Sequence, residues 1–269
     1  MPQIVVRGCV VAYEVAGTGT PVILLHGGGS SGRQWRSLVA ALSREFLCCA
    51  PDLFGHGKSS PWVGPTGPSL ADYSAIAEAL ARSFGAPAHL VGHSHGGAVA
   101  IRHAMDHPDC LASLTLIEPT LMHLLRVTDN PAWPEAEELG SKHIDAVSRG
   151  RSKEIADEFL PYWIGEESWQ SMPDDRRAAI IETMPAVAQF WSSEFAETTP
   201  AEDYARLDVP TLLIRGSRTR ATAHEVISVL LEVLTNRRLV EVEGAGHMSP
   251  FTHVAQVSAA ISSFLTEHY

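Results

Sequence analysis

The chain has 269 residues, 45% of them hydrophobic and 19% charged. At this size an α/β protein can fold as one compact unit with a sizeable core, and the composition is too apolar for extended disorder. A net charge of −11, with no window gathering Lys and Arg on one face, makes nucleic acid and anionic membrane surfaces poor partners.

In chain order, residues 3–16 form two short β-rich runs around Arg7-Gly8, the pattern of an antiparallel hairpin. The apolar run Val22 to Leu25 ends at His26-Gly27, and Phe46 to Ala50 ends at Pro51-Asp52; both read as buried parallel strands. Cys48 and Cys49 are adjacent in the second run, where consecutive side chains point to opposite faces. With Cys9 and Cys110 outside any CxxC pair, all four cysteines read as small buried or half-buried hydrophobes rather than a disulfide framework.

The clearest helical pattern is Ser69 to Phe84. Ser69 is placed to cap it, Asp72 follows three residues on, and Gly85 stops it. Further strands are predicted at His89 to Val91, Leu114 to Ile117, Thr211 to Ile214 and Leu239 to Val242, separated mostly by helices, which implies a mainly parallel sheet covered on both faces. Residues 120–205 break the alternation: they read as helices without strands and hold Trp133, Trp163, Trp169 and Trp191. This segment is expected to form a cap over a core made of residues 1–119 and 206–269. No exposed apolar stripe or heptad stands out, so a homodimer, if formed, would pair helices at the sheet edge.

The sharpest chemical feature is Gly92-His93-Ser94-His95-Gly96-Gly97, lying between a predicted strand and a predicted helix running to about His107. This is a nucleophile-elbow pattern, in which glycines permit a tight turn that would otherwise bring a Cβ into the neighbouring strand or helix. Ser94 is the expected nucleophile. A serine hydroxyl needs a base, and among 13 histidines His247 is favoured because it lies on the Gly-rich loop after the last strand, at the edge where parallel sheets carry their sites. His26 and His56 are expected to be structural. His93 and His95 flank Ser94 without an HExxH motif or carboxylate cluster, so neither a metal nor a cofactor is implied. The run His26-Gly27-Gly28-Gly29 offers bare backbone amides, and an oxyanion hole is expected from the amides of Gly28, with Gly29 as alternative, and His95.

Four motifs, HGGGSSG at 26–32, DLFGHGKSS at 52–60, GHSHGG at 92–97 and GAGHMSP at 244–250, occur in an order that resembles the α/β-hydrolase superfamily. The resemblance covers nearly the whole length apart from the expected cap, and implies an eight-stranded, mostly parallel sheet whose first strands are antiparallel. It also exposes a departure. Most members carry the triad acid in a G-x-x-D loop after the penultimate strand, whereas this chain has Gly216-Ser217-Arg218-Thr219. Relatives such as haloalkane dehalogenases, and a fungal lactonase whose Glu-Leu-Pro resembles Glu118-Pro119 here, place the acid one strand earlier. Glu118 is therefore the expected acid, with Glu225 or an incomplete or water-supported dyad as alternatives. The same resemblance makes Asp52 a loop-shaping residue.

These readings predict hydrolysis of a small-molecule ester or lactone through an acyl-enzyme. A carbon–carbon bond hydrolase, a perhydrolase and a barely catalytic ligand receptor are the competing functions on this fold. The N-terminus MPQIVVRGCVV lacks a basic region leading into a long apolar run, so a cytoplasmic enzyme with neither nucleic-acid nor membrane partner is the expectation.

Overall fold

The hairpin at the start of the chain sets the edge of the sheet. Strands β1 (Gln3–Val6) and β2 (Cys9–Ala16) pair antiparallel, with Val6 opposite Cys9. The two turn residues have positive φ, 51° at Arg7 and 81° at Gly8, as a two-residue turn matched to strand twist requires. The computed structural model describes residues 1–85 and 87–268.

Six more strands follow: β3 (Thr20–Leu25), β4 (Phe46–Pro51), β5 (Ala88–His93), β6 (Leu111–Ile117), β7 (Thr211–Gly216) and β8 (Arg237–Val242). They form one eight-stranded sheet in the order β1-β2-β4-β3-β5-β6-β7-β8. The pairs β1–β2 and β2–β4 are antiparallel and all others parallel. Several strands run beyond the apolar residues that reveal them. β5 takes in Gly92 and His93, and β7 takes in Arg215 and Gly216, because parallel pairing to a neighbour holds the backbone extended where hydropathy gives no signal.

The helices are α1 (Arg36–Leu42), α2 (Leu70–Phe84), α3 (His95–Asp106), α4 (Met122–Val127), α5 (Trp133–Ser148), α6 (Ser152–Ile164), α7 (Glu166–Gln170), α8 (Asp174–Ile181), α9 (Met184–Ala196), α10 (Ala221–Val233), α11 (Ser249–Thr252) and α12 (Val254–Glu267). At the start of α2, the Asp72 amide donates to Ser69 Oγ while Asp72 Oδ2 accepts from the Ser69 amide, a complete capping box. Helices α4 to α9 lie consecutively between β6 and β7, so the interval rich in tryptophan is helical throughout its regular elements.

Alternation along the central strands supplies both faces of the core. Ile23, Leu25, Cys49 and Leu90 pack with α2, α3 and the helical segment, whereas Val22, Leu24, Cys48 and Val91 pack with α1 and α12. Cys48 and Cys49 thus bury their thiols on opposite faces of β4. Fully burying a Val, Leu or Ile contributes about 1.5–3 kcal/mol, so both faces of these central strands stabilise the fold.

Candidate active site

The ends of β5, β6 and β7 lie side by side, and β8 follows next to β7. At the end of β5, Ser94 takes φ 55° and ψ −124°, a strained conformation for a residue with a Cβ. The flanking glycines make the turn feasible. A Cβ on Gly92 would lie 2.2 Å from the Gly96 carbonyl oxygen, and one on Gly96 would lie 2.3 Å from that of Leu25. The Ser94 amide donates to the Ile117 carbonyl at 3.0 Å, and the Ser94 carbonyl accepts from the Thr120 amide at 3.2 Å, which stitches the turn to the end of β6. Ser94 is left half-buried among buried neighbours, facing a cleft.

β6 ends at Ile117, and Glu118 follows with φ 43°, fully buried. Its Oε1 accepts from the Gly216 amide at 2.7 Å, and its Oε2 accepts from the Thr219 hydroxyl at 2.5 Å and lies 2.8 Å from His247 Nδ1. Thr219 stands where the usual acid of the G-x-x-D loop would be. That loop therefore supplies hydrogen-bond donors to a carboxyl group arriving from the adjacent strand. Glu225 is engaged elsewhere, by Asn130 Nδ2 at 3.2 Å and His224 Nδ1 at 3.1 Å.

His247 sits on the loop after β8, which is fixed at two points. The Arg218 amide donates to the Ala245 carbonyl at 2.8 Å, and His93 Nε2–H donates to the His247 carbonyl at 2.9 Å. Burial pushes His93 down to about 3, so it is a neutral positioning group at neutral pH. His26 donates from Nδ1 to the Gly27 carbonyl and accepts at Nε2 from the Leu53 amide, joining the two loops that follow β3 and β4. His56 donates to the Phe54 carbonyl and accepts from the Gly29 amide at 3.4 Å. Asp52 accepts the amides of Gly32 and Lys58, each at 2.8 Å, and so shapes its loop.

The amides of the glycine run differ in their partners. The Gly27 amide is taken by Gln34 Oε1 at 3.2 Å and the Gly29 amide by His56, which leaves Gly28 as the glycine of the run whose amide has no acceptor among the described residues. His95 is the first residue of α3 and carries an amide that a helix leaves unpaired. Both Gly28 and His95 line the cleft with Ser94 and His247.

The cleft is narrow, with a cavity volume of about 60 Å³. Helices α6 and α9 cover it with Phe159, Trp163, Phe190 and Trp191. The Trp163 ring centroid lies 4.2 Å from that of His247. Trp169 is instead buried within the helical segment with its Nε1–H on Asp157, and Trp133 packs edge-on against Phe195. Sequence reasoning passed over Glu194, which lines the cleft and contacts His95 Nδ1 at 2.7 Å and the Thr120 hydroxyl at 2.6 Å. A single glutamate in a helical stretch gave no signal. Thr219 and Gly216 could have been found as donors once the acid was placed on the adjacent strand.

A sequence profile of the alpha/beta hydrolase family matches residues 22–260, and the chain belongs to that family. It is a hydrolase. It is 38% identical over 275 aligned positions to a pimeloyl-[acyl-carrier protein] methyl ester esterase from Methylococcus capsulatus, covering 94% of this chain and 97% of that one. It is 30% identical over 261 positions to lipase LipV from Mycobacterium tuberculosis, covering 91% and 92%. Among solved structures, a thermophilic esterase from Thermogutta terrifontis superposes with a TM-score of 0.82 at 26% identity, covering 100% of this chain and 99% of that one. The enol-lactonase of Burkholderia xenovorans shares the fold, with a TM-score of 0.83 at 22% identity and coverage of 98% and 100%. Among the described residues, no helix is long and apolar enough to cross a membrane.

Proposed function

We propose that this hydrolase uses Ser94, His247 and Glu118 to cleave a small carboxylic ester or lactone through an acyl-enzyme. The observation that carries the reading is the 2.8 Å contact between Glu118 Oε2 and His247 Nδ1 at the edge of the cleft that presents Ser94. Glu118 fixes the His247 tautomer with Nδ1–H, leaving Nε2 to accept the Ser94 proton as the hydroxyl attacks the carbonyl carbon. The amides of Gly28 and His95 receive the developing oxyanion. His247 then gives its proton to the leaving alkoxide, and in the second half activates water to release the acid and restore Ser94.

The chemistry draws on the protein's own groups and calls for no cofactor. None of the described residues lining the cleft is Lys or Arg, which favours an uncharged small molecule as the substrate and partner. Residues 120–205 serve in this reading as a cap that sets substrate shape over a core of residues 1–119 and 206–269. The esterase and lipase relatives support ester cleavage, and the shared fold of the enol-lactonase is compatible with a cyclic ester.

The test is reaction with a fluorophosphonate probe followed by peptide mass spectrometry, alongside initial rates on p-nitrophenyl butyrate. Adduct formation on Ser94, lost in Ser94→Ala together with the esterase activity, is the expected result. Unchanged hydrolysis by folded Ser94→Ala would rule out the serine mechanism.

A further inference from the structure

Glu194 comes from the last turns of α9 and is 3% exposed, yet it belongs to the cleft wall. Its Oε1 is engaged by two groups, Thr120 Oγ1 at 2.6 Å and His95 Nδ1 at 2.7 Å. Its Oε2 has no partner among the described residues. Behind it the wall is closed by stacked rings, with Tyr73 Oη and His95 Nε2 buried and without partners among the described residues. His95 stacks on Phe190 with ring centroids 3.7 Å apart, and Tyr73 meets both rings edge-on. A clamp between α9 and the sheet edge would need one oxygen only, and an amide would provide it without the penalty of burying an acid. The second oxygen, unlike the buried and unpartnered Tyr73 hydroxyl, retains access to the cleft that Glu194 lines.

The protonation state follows from the surroundings. Burial raises Glu194 well above the usual carboxylate range, against the opposing effect of Thr120. Burial, followed by the neighbouring His56 and His26, holds His95 well below the usual histidine range. The contact is therefore a hydrogen bond between neutral groups, although its geometry is that of an ion pair. In the His95 tautomer with Nδ1–H, Thr120 Oγ1–H and His95 Nδ1–H both donate to Oε1, which places the acid proton on Oε2.

We infer that Glu194 is a specificity-determining residue whose Oε2–H donates to an oxygen in the acyl portion of the substrate, so that the protein selects esters or lactones of keto or hydroxy acids over plain alkanoyl esters. The acyl side is indicated by the geometry of the triad. The leaving oxygen must lie toward His247, which protonates it, whereas Glu194 is anchored on His95, the residue whose amide faces the oxyanion. A site that hydrogen-bonds a substrate oxygen discriminates strongly against an analogue lacking it, because the buried donor is then left unpaired.

This assignment rests on the serine-hydrolase reading, and its test separates the two. p-Nitrophenyl levulinate and p-nitrophenyl valerate differ by one keto oxygen, and β-hydroxybutyrate and butyrate esters form a second pair. The wild type is expected to favour the oxygenated member by at least about tenfold in kcat/KM, the smaller end of the effect of an unpaired buried donor. Glu194→Met should bring the ratio close to one, and Glu194→Gln, which retains both the acceptor and a donor, should preserve most of it. Calorimetric binding of the same esters to Ser94→Ala should show the same order of preference. Equal rates and equal binding within each pair in the folded wild-type and Ser94→Ala proteins would overturn the assignment, as would a ratio unaltered by Glu194→Met. If the wild type hydrolysed neither ester while Ser94→Ala still bound the oxygenated one at least about tenfold more tightly, the hydrolase reading would fail and the role of Glu194 would stand.

Discussion

In the proposed triad, Glu118 and Thr219 illustrate how the orienting acid would be moved between neighbouring strands without rebuilding the site. Ile117 and Ile214 are paired across β6 and β7, so the residues that follow them emerge side by side. A carboxyl group from either strand end can then address the same His247 nitrogen. Here Glu118 reaches it, and the Thr219 hydroxyl binds the same Oε2. Removing the charge while keeping the shape should reveal the dependence. Glu118→Gln is expected to fold normally, checked by circular dichroism, and to lower kcat by about 10³- to 10⁴-fold, as loss of the orienting acid does in serine triads. Thr219→Val removes one hydrogen bond to that acid and should lower kcat by about ten- to a hundredfold. In the Glu118→Gln background, Thr219→Asp should recover part of the lost rate by returning a carboxyl group to the loop after β7. Failure of any recovery in a folded double variant would show that the Thr219 side chain cannot occupy the acid's place. Ser94, His247 and Glu118 stand out in the sequence because each follows a strand in a local pattern of glycine or proline. Glu194 does not, because its importance arises from tertiary burial against His95 and Thr120, which no local pattern records.

At the scale of elements, the site depends on how closely β3, β5 and α3 approach one another. Gly96 lies at this contact, where an added Cβ would meet two backbone carbonyls, those of Leu25 and His26, at 2.3 and 2.6 Å. Neither can move without shifting β3. Gly96→Ala is expected to destabilise the fold by about 3 kcal/mol or more, with loss of activity accompanying loss of structure. Gly67 provides the contrast, since its added Cβ would have nothing within 4 Å and its φ is not positive. Gly67→Ala should leave stability unchanged or raise it by up to about 1 kcal/mol. Urea denaturation of both variants tests the pair together, and equal stabilities would mean that the elbow tolerates expansion. The sequence made the strand-turn-helix element legible through its glycines and predicted the capping box of α2 from Ser69 and Asp72. It left open which tryptophans face the cleft, because helical spacing cannot distinguish Trp163 and Trp191, which line it, from Trp169, which α7 buries with its Nε1–H on Asp157 of α6.

Across the whole molecule, histidine is used mainly as a neutral buried hydrogen-bonding group, and this makes the fold sensitive to mild acid. Burial lowers His26, His89, His103, His123 and His143 to about 4, His56 and His93 to about 3, and His95 well below its usual value. In the unfolded chain these side chains titrate near 6.5. As pH falls below about 6.5, the unfolded state takes up protons that the folded state refuses, so the stability contributed by these groups is present above 6.5 and declines toward their folded values. Glu194 acts in the opposite direction. Its folded value is raised, so in the same window the native state holds a proton that the unfolded chain, titrating near 4.3, has lost. One such acid cannot offset eight histidines. The lowered carboxyl groups Asp157, Glu197, Glu225 and Glu267 add their own loss only below about 4.5, where they protonate in the unfolded chain. The melting temperature should therefore be nearly flat from pH 8 to 7, fall continuously between about 6.5 and 4.5, and continue to fall below that as the carboxyl groups replace the fading histidine contribution. Calorimetric unfolding in buffers of different ionisation enthalpy should report net uptake of several protons per molecule near pH 5.5. Release of protons there, or a melting temperature that stays level to pH 4.5, would mean that these histidines are charged within the fold.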